Sequence, residues 1–129
     1  MDIRPRLQKI VTMTPICDSV ADIGTDHGYA LISLLKENRI KSGIASDNKK
    51  KPLEKARRNA TAEGVMDSIT FRRGNGLETL TPGEVNGVII AGMGGQLIKE
   101  ILEGSLETVK SLDFVLLQPA QNPEVLREY

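Results

Sequence analysis

Val20-Ala21-Asp22-Ile23-Gly24-Thr25-Asp26-His27-Gly28-Tyr29 is the stretch of this chain that says most about its architecture. An apolar strand breaks there into a glycine-bearing turn, and an apolar helix containing Ala30, Leu31, Ile32, Leu34 and Leu35 follows at once. A strand, turn and helix in this order place backbone N–H groups and a helix N-terminus at the carboxyl edge of a sheet. Because α/β folds bind nucleotide-like ligands at that edge, the turn is predicted to hold a ligand.

The charge of this turn indicates which ligand it suits. A dinucleotide-binding turn follows the pattern G-x-G-x-x-G. Counting from Gly24, the second and third glycines are replaced by Asp26 and Tyr29. A carboxylate at the closest approach of the backbone repels a pyrophosphate, but it suits a cofactor with positive charge. S-adenosylmethionine carries both a sulfonium and an ammonium group, so the sign of the charge favours a methyltransferase over a dehydrogenase.

Composition places the chain among single-domain proteins of a reducing compartment. At 129 residues it is predicted to form one domain, and 17 basic residues balance 17 acidic ones. Cys17 is the single cysteine, which excludes an internal disulfide and is typical of the cytoplasm. No apolar run approaches the about 18 residues of a membrane span, and with His27 as the one histidine no metal site is expected.

The order of apolar runs predicts alternating helices and strands. Helices are expected at residues 4–13, 29–37 and 53–63, the last of these with Pro52 as an early helix residue. A further helix is expected from residue 94, where Leu97, Ile98, Ile101 and Leu102 form one apolar stripe. Strands are expected at residues 19–23, 41–46, 68–72, 87–91 and 114–117. This alternation indicates a mostly parallel sheet with helices on both faces, a Rossmann-like α/β fold. Since a doubly wound methyltransferase usually has two more strands, and a further helix is expected towards Tyr129, we expect this chain to be part of a longer protein.

Two acidic or polar segments that follow strands have alternative interpretations. Asp47, after the second strand, lies where a carboxylate can accept hydrogen bonds from both ribose hydroxyls of an adenosine. Alternatively, Asp47 or Asn48 caps the helix that follows. Gly74-Asn75-Gly76, after the third strand, is either an ordinary tight turn or a backbone surface for the adenine ring, with Asn75 bonded to its amino edge.

The segment Ala91-Gly92-Met93-Gly94-Gly95 is harder to explain as structure alone. Three glycines in four residues cost conformational entropy, which is reasonable where a ligand must approach the backbone closely. Met93 is either a core residue or a soft wall beside a transferred methyl group. The run Lys49-Lys50-Lys51 opposes the dipole of the helix it opens. It is either a solvated surface or a phosphate-binding surface for an RNA.

Together these motifs resemble one enzyme family over nearly the whole chain. They are Asp22-Ile-Gly-Thr-Asp-His-Gly-Tyr29, Ala45-Ser-Asp47, Gly74-Asn-Gly-Leu77, Ile90-Ala-Gly-Met-Gly-Gly-x-Leu-Ile98 and Leu117-Gln-Pro119. In this order they resemble the bacterial tRNA (adenine-22-N1)-methyltransferases. The resemblance implies a class I methyltransferase domain, which a helical domain implicated in tRNA binding follows in the family. It implies methyl transfer from S-adenosylmethionine to N1 of an adenine in tRNA.

The resemblance also implies roles for the motif residues. The turn after the first strand would face the methionine part of the cofactor. Asp47 would bind its ribose and Asn75 its adenine, and the Gly92–Gly95 turn would form the floor of the methyl-transfer cleft. The family often has Asp where this chain has Asn75, and an amide oxygen can replace that acceptor. The family's helical domain has no counterpart in these 129 residues, so unaided tRNA binding is in question. The candidate catalytic residues are Asp26 and His27, and the candidate cofactor-binding residues are Asp22, Gly24, Thr25, Gly28, Asp47, Asn48, Gly74, Asn75, Gly76, Ala91, Gly92 and Met93.

Asp26 is predicted to accept a hydrogen bond from the adenine N6 amino group, with His27 as the second candidate. His27 is alternatively a hydrogen-bonded structural residue. Two other functions remain open for the chain as a whole: a small-molecule methyltransferase, and a non-catalytic fragment that binds RNA or S-adenosylmethionine. The sequence predicts no oligomeric state.

Overall fold

The computed structural model describes residues 5–25 and 27–118. The described chain alternates helices with strands, as predicted, and adds two short 3₁₀ turns at Met66–Ser68 and Gly76–Thr79. The strands are β1 (Ser19–Ile23), β2 (Ser42–Asp47), β3 (Ile69–Arg73), β4 (Gly87–Ala91) and β5 (Phe114–Gln118). The helices are α1 (Pro5–Met13), α2 (Tyr29–Lys36), α3 (Lys50–Ala62), α4 (Gly95–Glu103) and α5 (Leu106–Lys110).

The five strands form one parallel sheet in the order β3-β2-β1-β4-β5. The chain runs from β1 outward to β3 on one side, and β4 and β5 then extend the sheet on the other. The boundary between β1 and β4 is therefore the switch point, where loops leave for opposite faces and leave a crevice. The predicted Rossmann-like parallel fold is confirmed.

Two apolar cores cover the two faces of the sheet, which explains why the strands are almost continuously apolar. On one face, α1, α2 and α3 pack on the sheet through residues such as Val20 of β1 and Leu31 of α2. On the other face, α4 and the Gly76–Thr79 turn pack against Ile23 and Ile90. Alternate residues of each strand thus serve opposite cores, and the carboxyl edge of the sheet lies between two helical layers.

Three structural details differ from the sequence prediction. Helix α3 begins at Lys50, two residues before Pro52, which was expected as an early helix residue and lies in the first turn, where backbone N–H groups have no intrahelical acceptor. Helix α5 was not predicted. The expected stripe on α4 is narrower than four residues, because Leu97 is 49% exposed while Ile98 and Leu102 are fully buried. The expected helix towards Tyr129 lies outside the described residues, as does Pro119.

The amino edge of the sheet is closed by a side-chain network. Asn86 Oδ1 accepts hydrogen bonds from the backbone N–H groups of Asp18 and Ser19, at 3.2 and 3.0 Å. Its Nδ2 donates to Asp113 Oδ2 at 3.3 Å. The loops at that edge are therefore bonded to one another through Asn86.

Candidate functional site

Three of the predicted site segments lie side by side at the carboxyl edge. Ile23 of β1 is in register with Ser46 on one side and Ile90 on the other. One residue beyond this register stand Gly24, Asp47 and Ala91. Neighbouring strands are about 4.8 Å apart, so Asp47 and Ala91 are separated by about 10 Å with Gly24 between them. The edge thus presents a carboxylate, a bare backbone and a second glycine-rich loop in one row.

Gly24 and Met93 bring the two loops of the switch point together. Gly24 has φ +76°, a left-handed conformation that L side chains rarely adopt. A Cβ built on it would lie only 2.4 Å from Met93 Cε. Glycine is therefore required at position 24 for two reasons: the left-handed turn and the close approach of the Met93 methyl group. A ligand that crosses Gly24 must contact the Met93 thioether.

The loop after β1 is held on the end of β2. Ser46 O accepts hydrogen bonds from Gly24 N at 2.8 Å and from Thr25 N at 3.1 Å. The Ser46 hydroxyl lies 2.9 Å from the hydroxyl of Thr79, which belongs to the 3₁₀ turn after β3. A chain of hydrogen bonds therefore connects the loops after β1, β2 and β3. Ser46 and Thr79 were not predicted as site residues, because nothing local to either residue reveals a partner 33 positions away.

Arg72 and Glu84 form an ion pair beside Thr79, at the end of this series of hydrogen bonds. Arg72 Nη1 donates to Thr79 O at 2.7 Å and to Glu84 Oε1 at 2.8 Å, while Nη2 donates to Glu84 Oε2. The two parallel bonds hold the Glu84 carboxylate in a bidentate pair. The hydrogen bonds from Arg72, with a further one from Thr81 N, lower the pKa of Glu84 to about 2. This pair stiffens the turn on which the predicted adenine-binding loop rests.

Gly28 allows α3 to approach the start of α2. Its φ is +76°, and a Cβ there would lie 2.9 Å from Ala56 Cβ and 3.2 Å from Ala56 Cα. Asn59, one turn further along α3, donates from Nδ2 to His27 O at 2.9 Å. Helix α3 thus holds the second half of the loop, and Asn59 is another contributor that the sequence did not indicate.

The candidate catalytic residues are described in part. His27 is half-buried, and its ring stacks on Tyr29 with a centroid separation of 5.2 Å and an interplanar angle of 29°. Asp26 lies outside the described residues. Asp22 is only 5% exposed and accepts a hydrogen bond from the buried Thr25 hydroxyl at 3.2 Å. Asp22 and Thr25 therefore brace the base of the loop.

Asp47 combines features of both of its predicted roles. Its Oδ1 accepts a hydrogen bond at 2.9 Å from Lys49 N, at the entry to α3. Lys49 itself occupies the N-cap position and makes no side-chain capping bond. Among the described residues, no hydrogen-bond partner faces the second oxygen, Oδ2, and the side chain is half-buried at the rim. One oxygen thus serves the helix, and the other can accept from a ligand.

The remaining predicted residues lie on the two sides of the row formed by Gly24, Asp47 and Ala91. Beside Asp47, Gly74 N donates to Asp47 O at 2.9 Å, and the exposed Asn48 and Asn75 stand at the rim. Gly76, with φ +52°, packs under Ile101 of α4.

On the β4 side, Ala91 is half-buried, and the loop that follows it is anchored to β5. Gly92 has φ +77°, and its N–H donates to Gln118 O at 3.0 Å. A Cβ built on Gly92 or Gly94 would meet no atom within 4 Å, so this turn has open space in front of it. Such an edge can hold a nucleoside-like ligand whose sugar meets Asp47 and whose other end lies by Met93.

Within residues 5–25 and 27–118, no group of three or more His, Cys, Asp or Glu side chains is arranged to hold a metal ion. None of the helices in that same part of the chain has the length and apolar character needed to cross a membrane.

Comparison with known proteins gives consistent matches. A family profile described as "Methyltransferase domain" matches residues 3–129. The tRNA (adenine(22)-N(1))-methyltransferase of Bacillus subtilis (strain 168) is 33% identical over 124 residues, which are 96% of this chain and 52% of that protein. The chain therefore spans about half the length of this curated relative.

Solved structures of methyltransferases are also similar to this chain. A Streptococcus pneumoniae protein in complex with S-adenosyl-L-methionine aligns with a TM-score of 0.90 and 34% identity over 98% of this chain and 59% of that chain. M. capricolum TrmK in complex with S-adenosyl-homocysteine aligns with a TM-score of 0.74 and 36% identity, over 78% of this chain and 46% of that chain. The resemblance predicted from the motifs is confirmed.

Proposed function

The chain belongs to the methyltransferase-domain family, and on that premise we propose that it binds S-adenosylmethionine and transfers its methyl group to N1 of an adenine in tRNA. We further propose that residues 1–129 form one methyltransferase domain. The observation that carries the proposal is the row of Gly24, Asp47 and Ala91 at the switch point, with Met93 over Gly24. This row lies where open α/β sheets bind ligands, and it offers a carboxylate instead of a phosphate-binding surface.

The described residues fit a cofactor of this kind. Asp47 Oδ2 is available to the ribose hydroxyls while Oδ1 stays bonded to Lys49 N. A cofactor laid across Gly24 meets no side chain from that residue, and the Met93 thioether beside it is a soft, polarisable neighbour for a sulfonium. Asn75 stands at the rim, where its amide can bond the amino edge of an adenine ring.

The chemistry requires alignment more than proton transfer. When bound, S-adenosylmethionine supplies an electrophilic methyl group on a positively charged sulfur. Adenine N1 offers a neutral lone pair, so the chain's task is to orient that base and stabilise the charge that develops on it. We propose that Asp26 accepts a hydrogen bond from the adenine N6 amino group, with His27 as the second candidate for a catalytic role. The glycine-rich turn after β4 provides space for the ring.

This reaction implies the state of the substrate and the location of the enzyme. N1 lies on the Watson–Crick edge, so the target adenine must be unpaired or flipped out of its stack before transfer. We propose tRNA as the partner and the cytoplasm as the compartment, consistent with a chain whose single cysteine is Cys17.

Calorimetry tests the cofactor. Titrations of the 129-residue chain with S-adenosylmethionine, S-adenosylhomocysteine and NAD should show binding of both adenosyl ligands and none of NAD. The reason is the acidic character of the loop after β1 and of Asp47. Tighter binding of NAD than of either adenosyl ligand would refute the assignment.

Mass spectrometry of tRNA nucleosides tests the reaction. The chain and a fusion with the part of the Bacillus subtilis relative that this chain does not match are each incubated with tRNA and isotope-labelled cofactor. Labelled N1-methyladenosine is expected, with a higher rate for the fusion. Asp26→Asn, which keeps size and removes charge, should lower that rate. Label in small metabolites but not in tRNA would favour a small-molecule methyltransferase, and cofactor binding without any transfer would indicate a non-catalytic fragment.

A further inference from the structure

The exposed side of α3 concentrates positive charge that the proposed cofactor site does not use. The whole chain has a formal charge of zero. Its segment 49–58 nevertheless contains one acid, Glu54, beside the basic residues Lys49, Lys50, Lys51, Lys55, Arg57 and Arg58. Glu54 is engaged with Lys50 at 3.7 Å in an exposed i, i+4 pair. The rest of the chain therefore carries a net negative charge, and segment 49–58 carries an excess of positive charge.

Three of these side chains form a single outward stripe, which we call the α3 basic face. Lys51, Lys55 and Arg58 are all exposed, and their i, i+4, i+7 spacing aligns them on one side of the helix. The opposite side carries the buried residues of α3, which are Leu53, Ala56 and Ala60. With 13 residues, α3 extends for about 20 Å, so the stripe is long enough to follow a polymer backbone.

The lysines at the start of α3 oppose the dipole of the helix. The N-terminus of a helix carries partial positive charge and is stabilised by acidic side chains. Helix α3 has no acidic residue in its first turn and begins with Lys49 at the N-cap, followed by Lys50 and Lys51. Helix formation alone does not explain this choice of residues, whereas an anionic partner does.

The basic residues begin at the rim of the candidate site. Lys49 donates its backbone N–H to Asp47, and Arg73 at the end of β3 donates from Nε to Asn48 O at 3.3 Å. Arg57 lies with its guanidinium 4.5 Å from the centre of the Phe71 ring, which holds it against β3. A chain of phosphates entering the site can therefore continue directly onto α3.

The composition of this surface favours a nucleic acid over a lipid surface. Helices that bind membranes combine basic residues with large apolar ones. In the described part of the chain, the exposed large hydrophobic residues are Met13, Ile16, Leu97 and Leu106, and none of them is on α3. We infer that the α3 basic face binds the phosphates of the substrate RNA on one side of the target adenine. This inference rests on the proposed function, since it takes tRNA as the substrate.

Charge-matched variants of the chain test this inference. One variant carries Lys51→Gln, Lys55→Gln and Arg58→Gln on α3. The control carries Lys9→Gln, Lys41→Gln and Lys110→Gln, which are also exposed, lie off α3 and change the net charge equally; of these, Lys41 makes an exposed ion pair with Asp18. The affinity for tRNA is measured by fluorescence anisotropy between 50 and 200 mM salt, with vesicles containing phosphatidylserine as a second ligand and calorimetry with S-adenosylhomocysteine as a folding check.

The α3 variant should bind tRNA roughly tenfold more weakly than the control. Its slope of log affinity against log salt should be shallower by about 2 to 3, since each phosphate contact contributes about 0.7 to 0.9. Equal tRNA affinity of the two variants, no tRNA binding by the unmodified chain, or tighter binding to vesicles than to tRNA would overturn the inference. Selective weakening without any methylation of tRNA would uphold the α3 basic face and refute the proposed reaction. Methylation of tRNA by the α3 variant with an unchanged KM for tRNA would support the proposed reaction and refute the α3 basic face as an RNA-binding surface.

Discussion

Asp47 has two oxygens with separable tasks, which makes it the best residue for a test of the cofactor site. Asp47→Asn keeps an oxygen that can accept from Lys49 N but loses the charge. We expect an unchanged melting temperature and a loss of cofactor affinity of about 1.5–3 kcal/mol, as for hydrogen bonds to a charged group. Asp47→Ala should lose that affinity and also about 0.5–2 kcal/mol of stability, because the entry to α3 loses its acceptor.

Calorimetry with S-adenosylhomocysteine and thermal unfolding of both variants separate the two effects. If Asp47→Asn binds the cofactor as tightly as the unmodified chain does, the carboxylate serves only the helix and ribose binding must be assigned elsewhere. The sequence offered both roles of Asp47 as alternatives, and the structure explains why neither could be dismissed.

Glu84 should make the stability of the fold depend on pH in the acid range. Its pKa in the folded chain is about 2, because Arg72 donates two hydrogen bonds to it, whereas an ordinary glutamate has a pKa of about 4.3. The stabilisation is therefore fully present above about pH 4.3 and is lost as the pH falls through about 2. Urea unfolding between pH 2 and pH 5 should show this dependence, and Glu84→Gln should weaken it.

Glu103→Gln on α4 is a suitable control, because that exposed glutamate makes no ion pair with any described residue. It should leave the slope of unfolding free energy against pH unchanged. An identical slope in Glu84→Gln and the unmodified chain would mean that Arg72 does not stabilise the Glu84 carboxylate in solution.

The packing of α3 on the loop after β1 depends on Gly28. Gly28→Ala must place a Cβ 2.9 Å from Ala56 Cβ and adopt φ +76° as well. The left-handed backbone costs about 1–2 kcal/mol and the forced contact about 1–3 kcal/mol. Gly64→Ala is a matched control, since its φ is +78° but a Cβ there meets nothing within 4 Å. Denaturant unfolding should show the larger loss for Gly28→Ala, and equal losses would exclude a packing role.

The elements themselves were largely predictable, because their signals are local. The bounds of β1 and β4 agree with the expected ranges, since buried parallel strands are short apolar runs between turn residues. The start of α3 and the whole of α5 were not found. Both segments are polar, and their helical state depends on caps and on neighbours that periodicity does not reveal.

The residues that hold the site in place were harder to predict than those that line it. Gly24 and Asp47 were found because loop motifs and strand ends mark them. Ser46, Thr79 and Asn59 contribute through contacts between segments 32 or 33 positions apart. Such pairs become visible only when the order of the strands is known.

The molecule as a whole consists of two layers joined at the sheet, and its candidate site is the place where loops of both layers meet. Gly24 leads into α2 on one face, and Met93 leads into α4 on the other. A ligand that spans the switch point should therefore restrain both loops at once. Hydrogen exchange with S-adenosylhomocysteine should increase the protection of amides in residues 23–28 and also in residues 91–95. Amides near Asn86, at the opposite edge of the sheet, are the internal control.

The same ligand should stabilise the complete fold, because it binds the folded chain and not the unfolded one. At a concentration of 100 times its dissociation constant the gain is about 2.7 kcal/mol, which corresponds to a rise in melting temperature of the order of 10 °C for a domain of this size. Asp47→Asn should reduce this rise while its unliganded melting temperature stays the same. If protection increased in only one of the two loops, the ligand would occupy one layer alone. Met93 would then be a core residue on the α4 side. The turn alone, and not a ligand that crosses it, would then require the positive φ of Gly24.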